Sequence, residues 1–277
     1  MYLSIKKVSS FHEVDYSNFS HPVLVLGGCS DMNAVKTWNT ERLKNIIKDN
    51  LVTIEVYQDR KNMGGLDCIS KKIKFNDFLE HSLKNNHPYY YLAEYPITYF
   101  KKNQSYHQLN RDVRFNFDNY RTFDEELLFM GLDTLSGYHL HVEDDYVLNQ
   151  ILGKKTVYLF DYYDNPHLSM KCFLSKSNNF LEKNYYNLSH DKIKLYKVTL
   201  NPGDSLMIPP WWFHSVKGHG FSCSITKTYL RTDLKYLYKY KYLGFLWFLG
   251  EIRIVRIVLS IFCLILILLF LKLKHKF

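Results

Sequence analysis

Two segments about seventy residues apart carry most of the side chains able to do chemistry. The first contains His141-Val-Glu143, followed by Gly153-Lys154-Lys155 at the head of an apolar run, Thr156-Val-Tyr-Leu-Phe160. The second reads Pro202-Gly203-Asp204, then Ile208-Pro209, then Trp212-Phe213-His214. Side chains alternate along a strand, so His-x-Glu puts an imidazole and a carboxylate on one face. A second histidine from another strand, His214, completes three protein ligands and leaves three metal positions open. That donor set suits a non-haem Fe(II) centre with room for a bidentate co-substrate and O₂. Pro-Gly-Asp predicts a tight turn that aims the strand carrying His214. His139 competes for the first ligand role, with Ser136 three residues before it. A ligand pair His139-Leu-His141 would put histidine where the carboxylate belongs, so His141, Glu143 and His214 are the expected metal ligands.

The elements around these segments are short and regular. Pro22-Val-Leu-Val-Leu-Gly27 predicts a buried strand ending at Gly27-Gly28. Asn39 or Thr40 caps a helix whose Leu43, Ile46 and Ile47 recur at helical spacing. Leu51–Tyr57 alternates as a strand, and Phe75–Leu83 predicts a helix with Phe75, Phe78, Leu79 and Leu83 on one face. Tyr89–Leu92 is strand-like. From Glu126 onward the expected strands are 127–131, 138–142, 156–160, 195–200, 205–208 and 221–229, separated by polar turns. Many short strands with such turns predict a mainly β sandwich or barrel. On the last strand Ser222, Ser224, Thr226 and Thr228 share a face, a row of small hydroxyls suited to a pocket wall. The Asn-rich stretch from Asp161 to Asp191 predicts a long loop.

The whole pattern resembles the cupin-like JmjC family, a group of Fe(II)- and 2-oxoglutarate-dependent hydroxylases that includes an asparaginyl hydroxylase. The family's H-x-D/E, Gly-x-Lys and P-G-D…I-P…W-x-H motifs match His141-Val-Glu143, Gly153-Lys154-Lys155 and Pro202-Gly-Asp…Ile208-Pro209…Trp212-Phe-His214. Ala34…Trp38, Phe75-Asn-Asp-Phe-Leu79 and Tyr90-Tyr-Leu-Ala-Glu94 fall in the family's order, so the resemblance extends from about residue 10 to 230. It implies a double-stranded β-helix, or jelly roll, with N-terminal α/β additions. It also implies Fe(II) at His141, Glu143 and His214, and 2-oxoglutarate held by Lys155 with Tyr91 and Thr226 or Thr228; Lys154 is the exposed alternative to Lys155. Departures are Glu143, where the nearest relatives carry Asp, and a spacing to Gly153 one residue short. The implied activity is hydroxylation of a protein side chain. The other readings are a non-catalytic cupin that has lost the metal, a JmjC demethylase and an RNA-modifying hydroxylase.

Composition supports a folded chain and divides its charge unevenly. Of 277 residues 47% are hydrophobic and 17% aromatic, which excludes a mainly disordered chain. Five scattered cysteines without a C-x-x-C pair exclude a disulfide or zinc framework. The formal charge is +9, but nine basic against two acidic residues lie from Arg231 to the end, leaving the first 230 residues 27 basic and 25 acidic. A near-neutral body counts against a nucleic-acid partner. Ile257–Leu271 is charge-free and flanked by Arg256 and Lys272. A helix of that length spans roughly 22 Å, which snorkelling lysines and arginines extend toward the roughly 30 Å of a bilayer core. The expectation is therefore an N-terminal α/β part over 1–125, a jelly-roll core over 126–230, a basic juxtamembrane segment over 231–253 and a single-pass transmembrane helix over 254–273. The N-terminus has no apolar signal region, which puts the body in the cytosol.

Overall fold

The structure is a computed structural model that describes residues 2–16, 19–60, 63, 68–84, 86–100, 104–114, 122–141, 144–161 and 194–230. Met1–Leu230 forms one compact unit and Arg231–Phe277 a second. The expected juxtamembrane segment and transmembrane helix, and the expected 161–191 loop beyond Asp161, lie outside the described residues. Among the described residues no helix is long and apolar enough to cross a membrane.

The first unit is mainly β. Among the described residues ten strands are β1 (Lys6–Val8), β2 (Val23–Val25), β3 (Leu51–Tyr57), β4 (Ile69–Lys74), β5 (Tyr89–Pro96), β6 (Thr122–Leu132), β7 (Asp144–Asp161), β8 (Tyr196–Leu200), β9 (Ser205–Ile208) and β10 (Trp212–Leu230). They join edge to edge in the order β1-β2-β9-β7-β10-β6-β5-β3-β4, with β8 also paired to β7. Four helices, α1 (Asn33–Thr37), α2 (Thr40–Ile47), α3 (Phe75–Leu83) and α4 (Gln104–Asp112), belong to the N-terminal half.

The local reasons for these elements are readable. Asn39 caps α2, its side chain accepting from the Arg42 N–H at 2.8 Å. Leu43, Ile46 and Ile47 are buried on the face that α2 presents to the core, each worth about 1.5–3 kcal/mol relative to an exposed side chain. They share that core with Phe75, Phe78 and Leu79 of α3, Val52 and Ile54 of β3, and Leu128 and Met130 of β6. Leu83, expected on the buried face of α3, is exposed, and Ser82 is buried instead. A second cluster joins Leu148, Val157 and Leu159 of β7 with Val198, Leu200, Leu206 and Ile208.

The two long strands β7 and β10 are the spine. Expected as short pieces, they run 18 and 19 residues. The polar residues Asp145, Asn149 and Gln150, where no strand was expected, are buried within β7. The amides are bonded at one end each: Asn149 accepts from the Ser205 hydroxyl at 2.6 Å, and the Gln150 amide donates to the Leu152 carbonyl at 2.8 Å, while Asn149 Nδ2 and Gln150 Oε1 find no partner among the described residues. Register shifts between His219 and Ser224 mark bulges in the β7–β10 ladder, where a strand bends and its twist increases. Gly153 sits opposite this break with φ of 69°, and a Cβ there would run into the Phe221 carbonyl oxygen. Before the bend β7 pairs with β9, and after it with β8. The Pro202-Gly203-Asp204 turn forms as expected. Gly203 has φ of 95°, and the Asp204 carboxylate accepts from the Gly27 N–H at 3.1 Å and the Asn201 N–H at 2.9 Å.

Candidate metal and anion site

The histidines converge because of strand register. His139 and His214 form an isolated antiparallel bridge and exchange both backbone hydrogen bonds, at 3.1 and 2.8 Å. Residues directly opposite point to one face, and the two imidazole centroids lie 4.2 Å apart. His141 follows His139 by two and falls on that same face, 5.3 Å from it and 5.2 Å from His214. One ring nitrogen from each of His139, His141 and His214 lies within 4.8 Å of the others. Of the three expected ligands, His141 and His214 are thus brought together and His139 joins them. Glu143 lies outside the described residues. The period-two rule that paired His141 with Glu143 applies equally to His139 and His141.

The environment prepares these rings to bind a cation as neutral donors. Burial pushes all three imidazoles down: His139 despite the Gly137 carbonyl, His214 well below its ordinary value with both other histidines adding to the effect, and His141 to about 3. His139 Nδ1 lies 2.9 Å from the Gly137 carbonyl, and His214 Nδ1 lies 3.1 Å from the Trp212 carbonyl. An N–H at each of those positions leaves Nε2 as the lone-pair donor, the usual support for a metal-bound histidine. His141 stacks on Tyr146 at 3.9 Å and 7°. Its Nε2 has no hydrogen-bond partner among the described residues although it is closed to solvent. Three imidazoles with an orphaned buried nitrogen fit a divalent transition metal.

His139 and His214 open onto a cavity of about 280 Å³. Lys155 lines it too. It is 1% exposed, whereas Lys154 is exposed. The Lys155 ammonium donates to the Ser224 hydroxyl at 2.5 Å and lies 5.8 Å from the Phe129 ring centroid. No carboxylate pairs with it among the described residues. Burial lowers it to about 8, as expected for a cation out of water without a counter-charge. Tyr91 and Thr226 also line the cavity and are buried; Thr228 is half-buried and does not. Burial, with Glu55 and Glu94 nearby, raises the Tyr91 phenol.

Sequence reading set His139 aside and missed Tyr146, Glu55 and Glu94 as cavity residues. The bridge to His214 is long-range, so the sequence held no direct signal for it. The alternation of His139 and His141 was the local clue.

Comparison with known proteins places this geometry in a family. The cupin-like domain family model matches residues 9–232. The chain belongs to the cupin-like domain family, the hydroxylase family its motifs resemble. Among curated proteins it is similar to tRNA wybutosine-synthesizing protein 5 of Mus musculus, 25% identical over 229 residues, covering 73% of this chain and 69% of the relative. The Homo sapiens protein of that name is 24% identical over 226 residues with the same coverage. The Danio rerio protein is 23% identical over 209 residues, covering 69% of this chain and 63% of the relative.

These relatives correct two expectations. The expectation of a protein substrate and against a nucleic-acid partner does not hold beside relatives named as tRNA wybutosine-synthesizing proteins. The net charge of the body misled because it is a sum over the surface, and binding depends on where charges sit. The single-pass membrane localisation is corrected by the same relatives, and no described helix supports it.

Proposed function

We propose that this protein is an Fe(II)- and 2-oxoglutarate-dependent hydroxylase that acts on a tRNA. One observation carries the reading: the buried Lys155 ammonium has no anionic partner among the described residues and shares a cavity with His139 and His214. A buried cation costs several kcal/mol unless something neutralises it, and a dicarboxylate spanning lysine and metal would do so. His139, His141 and His214 would hold the metal. Iron would supply O₂ activation coupled to oxidative decarboxylation of 2-oxoglutarate.

The chain's own residues do the rest. Lys155 pairs with the far carboxylate of the co-substrate, and the Ser224 hydroxyl steadies the ammonium. Thr226 and Tyr91 offer hydroxyls to the same end of the cavity. The carbonyls of Gly137 and Trp212 fix the imidazole tautomers. Phe129, Tyr146, Leu148 and Val216 give the cavity apolar walls, which exclude water and strengthen the ion pair at Lys155. The tRNA substrate follows from the relatives' names, and the body's small net charge is compatible with a localised contact surface.

The deciding experiment is calorimetric titration of the Mn(II)-loaded full chain with 2-oxoglutarate, followed by succinate formation with Fe(II) and unfractionated tRNA. The reading expects saturable binding that Lys155→Met abolishes, and tRNA-stimulated succinate. Absence of 2-oxoglutarate binding overturns it.

A further inference from the structure

The sheet face that lines the cavity does not stop at the cavity. Along β3, Leu51, Thr53, Glu55 and Tyr57 alternate onto one face, opposite to buried Val52, Ile54 and Val56. In the antiparallel ladder with β4, Leu51 pairs with Lys74, Thr53 with Lys72 and Glu55 with Ser70. Directly opposed residues share a face, so Ser70, Lys72 and Lys74 stand on the same side as Glu55 and Tyr57. Both of those line the cavity, as does Cys68 just before β4. Beyond them the face is uncovered: Leu51, Thr53, Ser70, Lys72 and Lys74 are all exposed. β4 ends the sheet order, so among the described residues no strand flanks it on its far side.

We infer that this open β3–β4 face, centred on Lys72 and Lys74 with the hydroxyls of Thr53 and Ser70, carries the phosphate backbone of the RNA substrate beside the cavity; the inference rests on the RNA reading above. Lysine, serine and threonine are side chains that position a nucleic-acid backbone through its phosphates. Strand rise puts Lys72 about 7 Å and Lys74 about 14 Å along β4 from Ser70, which stands opposite the cavity-lining Glu55. Lys74 shares its charge with Asp49 at 3.3 Å, whereas Lys72 has no carboxylate partner among the described residues. Lysines on an edge strand also discourage strand addition. These two are set apart by the face they share with the cavity lining.

Charge sorts the two parts of a nucleotide here. Glu55 and Glu94 line the cavity and repel phosphate, while the lysines a few residues away attract it. A backbone held on β4 and a base turned into the cavity satisfies both, the arrangement demanded of any enzyme that does chemistry on a base. It also explains how a body with 27 basic and 25 acidic residues can hold RNA.

The test uses the full chain and unfractionated tRNA, with affinity measured over a series of salt concentrations. Lys72→Ala with Lys74→Ala should weaken binding and reduce the slope of log affinity against log salt by about one to two. Lys6→Ala with Lys7→Ala, on the exposed opposite edge strand β1, should leave both unchanged. Each double variant must bind 2-oxoglutarate with Mn(II) as the parent does, which shows an intact fold. An unchanged slope in the β4 variant, or an equal loss in both variants, overturns the assignment of this surface and leaves the RNA reading standing. A parent chain that fails to bind tRNA at low salt overturns the RNA reading and this inference with it.

Discussion

Lys155 and Ser224 meet inside the sheet, ammonium to hydroxyl at 2.5 Å, across two adjacent strands. A hydroxyl can satisfy one N–H of the ammonium but cannot neutralise it. The charge itself is the property that makes the lysine useful to an anionic ligand.

Lys155 therefore sets a pH dependence. Its pKa is about 8 in the folded chain against 10.5 when unperturbed. Between those values the unfolded chain binds more protons than the folded one, so stability of the ligand-free protein rises with pH across that window. Below about pH 8 both states are protonated and the destabilising effect of the buried charge is fully present. Affinity for 2-oxoglutarate runs the other way, falling up to about tenfold per pH unit above pH 8 as the free protein loses the proton that binding requires. Lys155→Met should flatten the stability profile, abolish 2-oxoglutarate binding at every pH and leave the ligand-free protein equally or more stable. Calorimetry and thermal melts across pH 6.5–10 check this, on the order of that window.

The metal set separates by substitution. His139→Ala, His141→Ala and His214→Ala should each weaken Mn(II) binding by about 100-fold or more, since even an outer-shell partner is worth 10–100-fold. Glu143→Ala, by contrast, should have a smaller effect if three histidines are the protein ligands. Pulsed EPR on the Mn(II)-loaded chain should count three imidazole nitrogens. A Glu143→Ala loss as large as that of His214→Ala, with His139→Ala unaffected, would restore the carboxylate-containing triad.

Gly153→Ala tests the bend in β7. The position combines φ of 69° with a collision against the Phe221 carbonyl. Strain and displacement together should cost about 1–3 kcal/mol in chemical denaturation. The loss should appear equally in ligand-free and Mn(II)-loaded protein if the bend serves the scaffold alone. A larger loss of 2-oxoglutarate affinity than of stability would show that the bend also aims Lys155.

Asp204 ties the turn before β9 to the N-terminal half through Gly27 and closes the turn itself on Asn201. Asp204→Ala removes two charge-assisted hydrogen bonds and leaves two backbone donors short, a loss of about 2–4 kcal/mol. Asp204→Asn keeps one acceptor and should recover part of it. Urea unfolding of both variants measures the difference.

Local patterns made much of this fold legible. Asn39 and the Leu43, Ile46, Ile47 spacing announced α2, and the alternation of Leu51–Tyr57 announced β3. The Pro202-Gly203-Asp204 turn and the apolar strand after it were equally plain. β4 was hidden because Ile69-Ser-Lys-Lys-Ile-Lys74 carries too little apolar character for a strand buried on either face, and it is an exposed edge. Of β7 only 156–160 was expected, because its first half carries the polar residues Asp145, Asn149 and Gln150, which turn out to be buried. At the site, the Gly-x-Lys motif singled out Lys155. The choice between His139 and His141 depended on a bridge to a residue 75 positions away from His139, which no local pattern encodes.

The register of β7 against β10 has one further consequence. His214 lies opposite Leu159, and Lys155 lies opposite Gly218 four residues along the same ladder. The spacing between the imidazole cluster and the ammonium is thus ruled by a single pair of strands. Strands keep their facing only when shifted by two residues, a step of about 7 Å. No backbone slide can adjust such a site by the length of one methylene. Adapting it to a longer or shorter dicarboxylate must be done at the side chains that fill the gap, Ser224 and Thr226 first among them. The scaffold works as a fixed gauge, and its ligand length is selected by what is mounted between the marks.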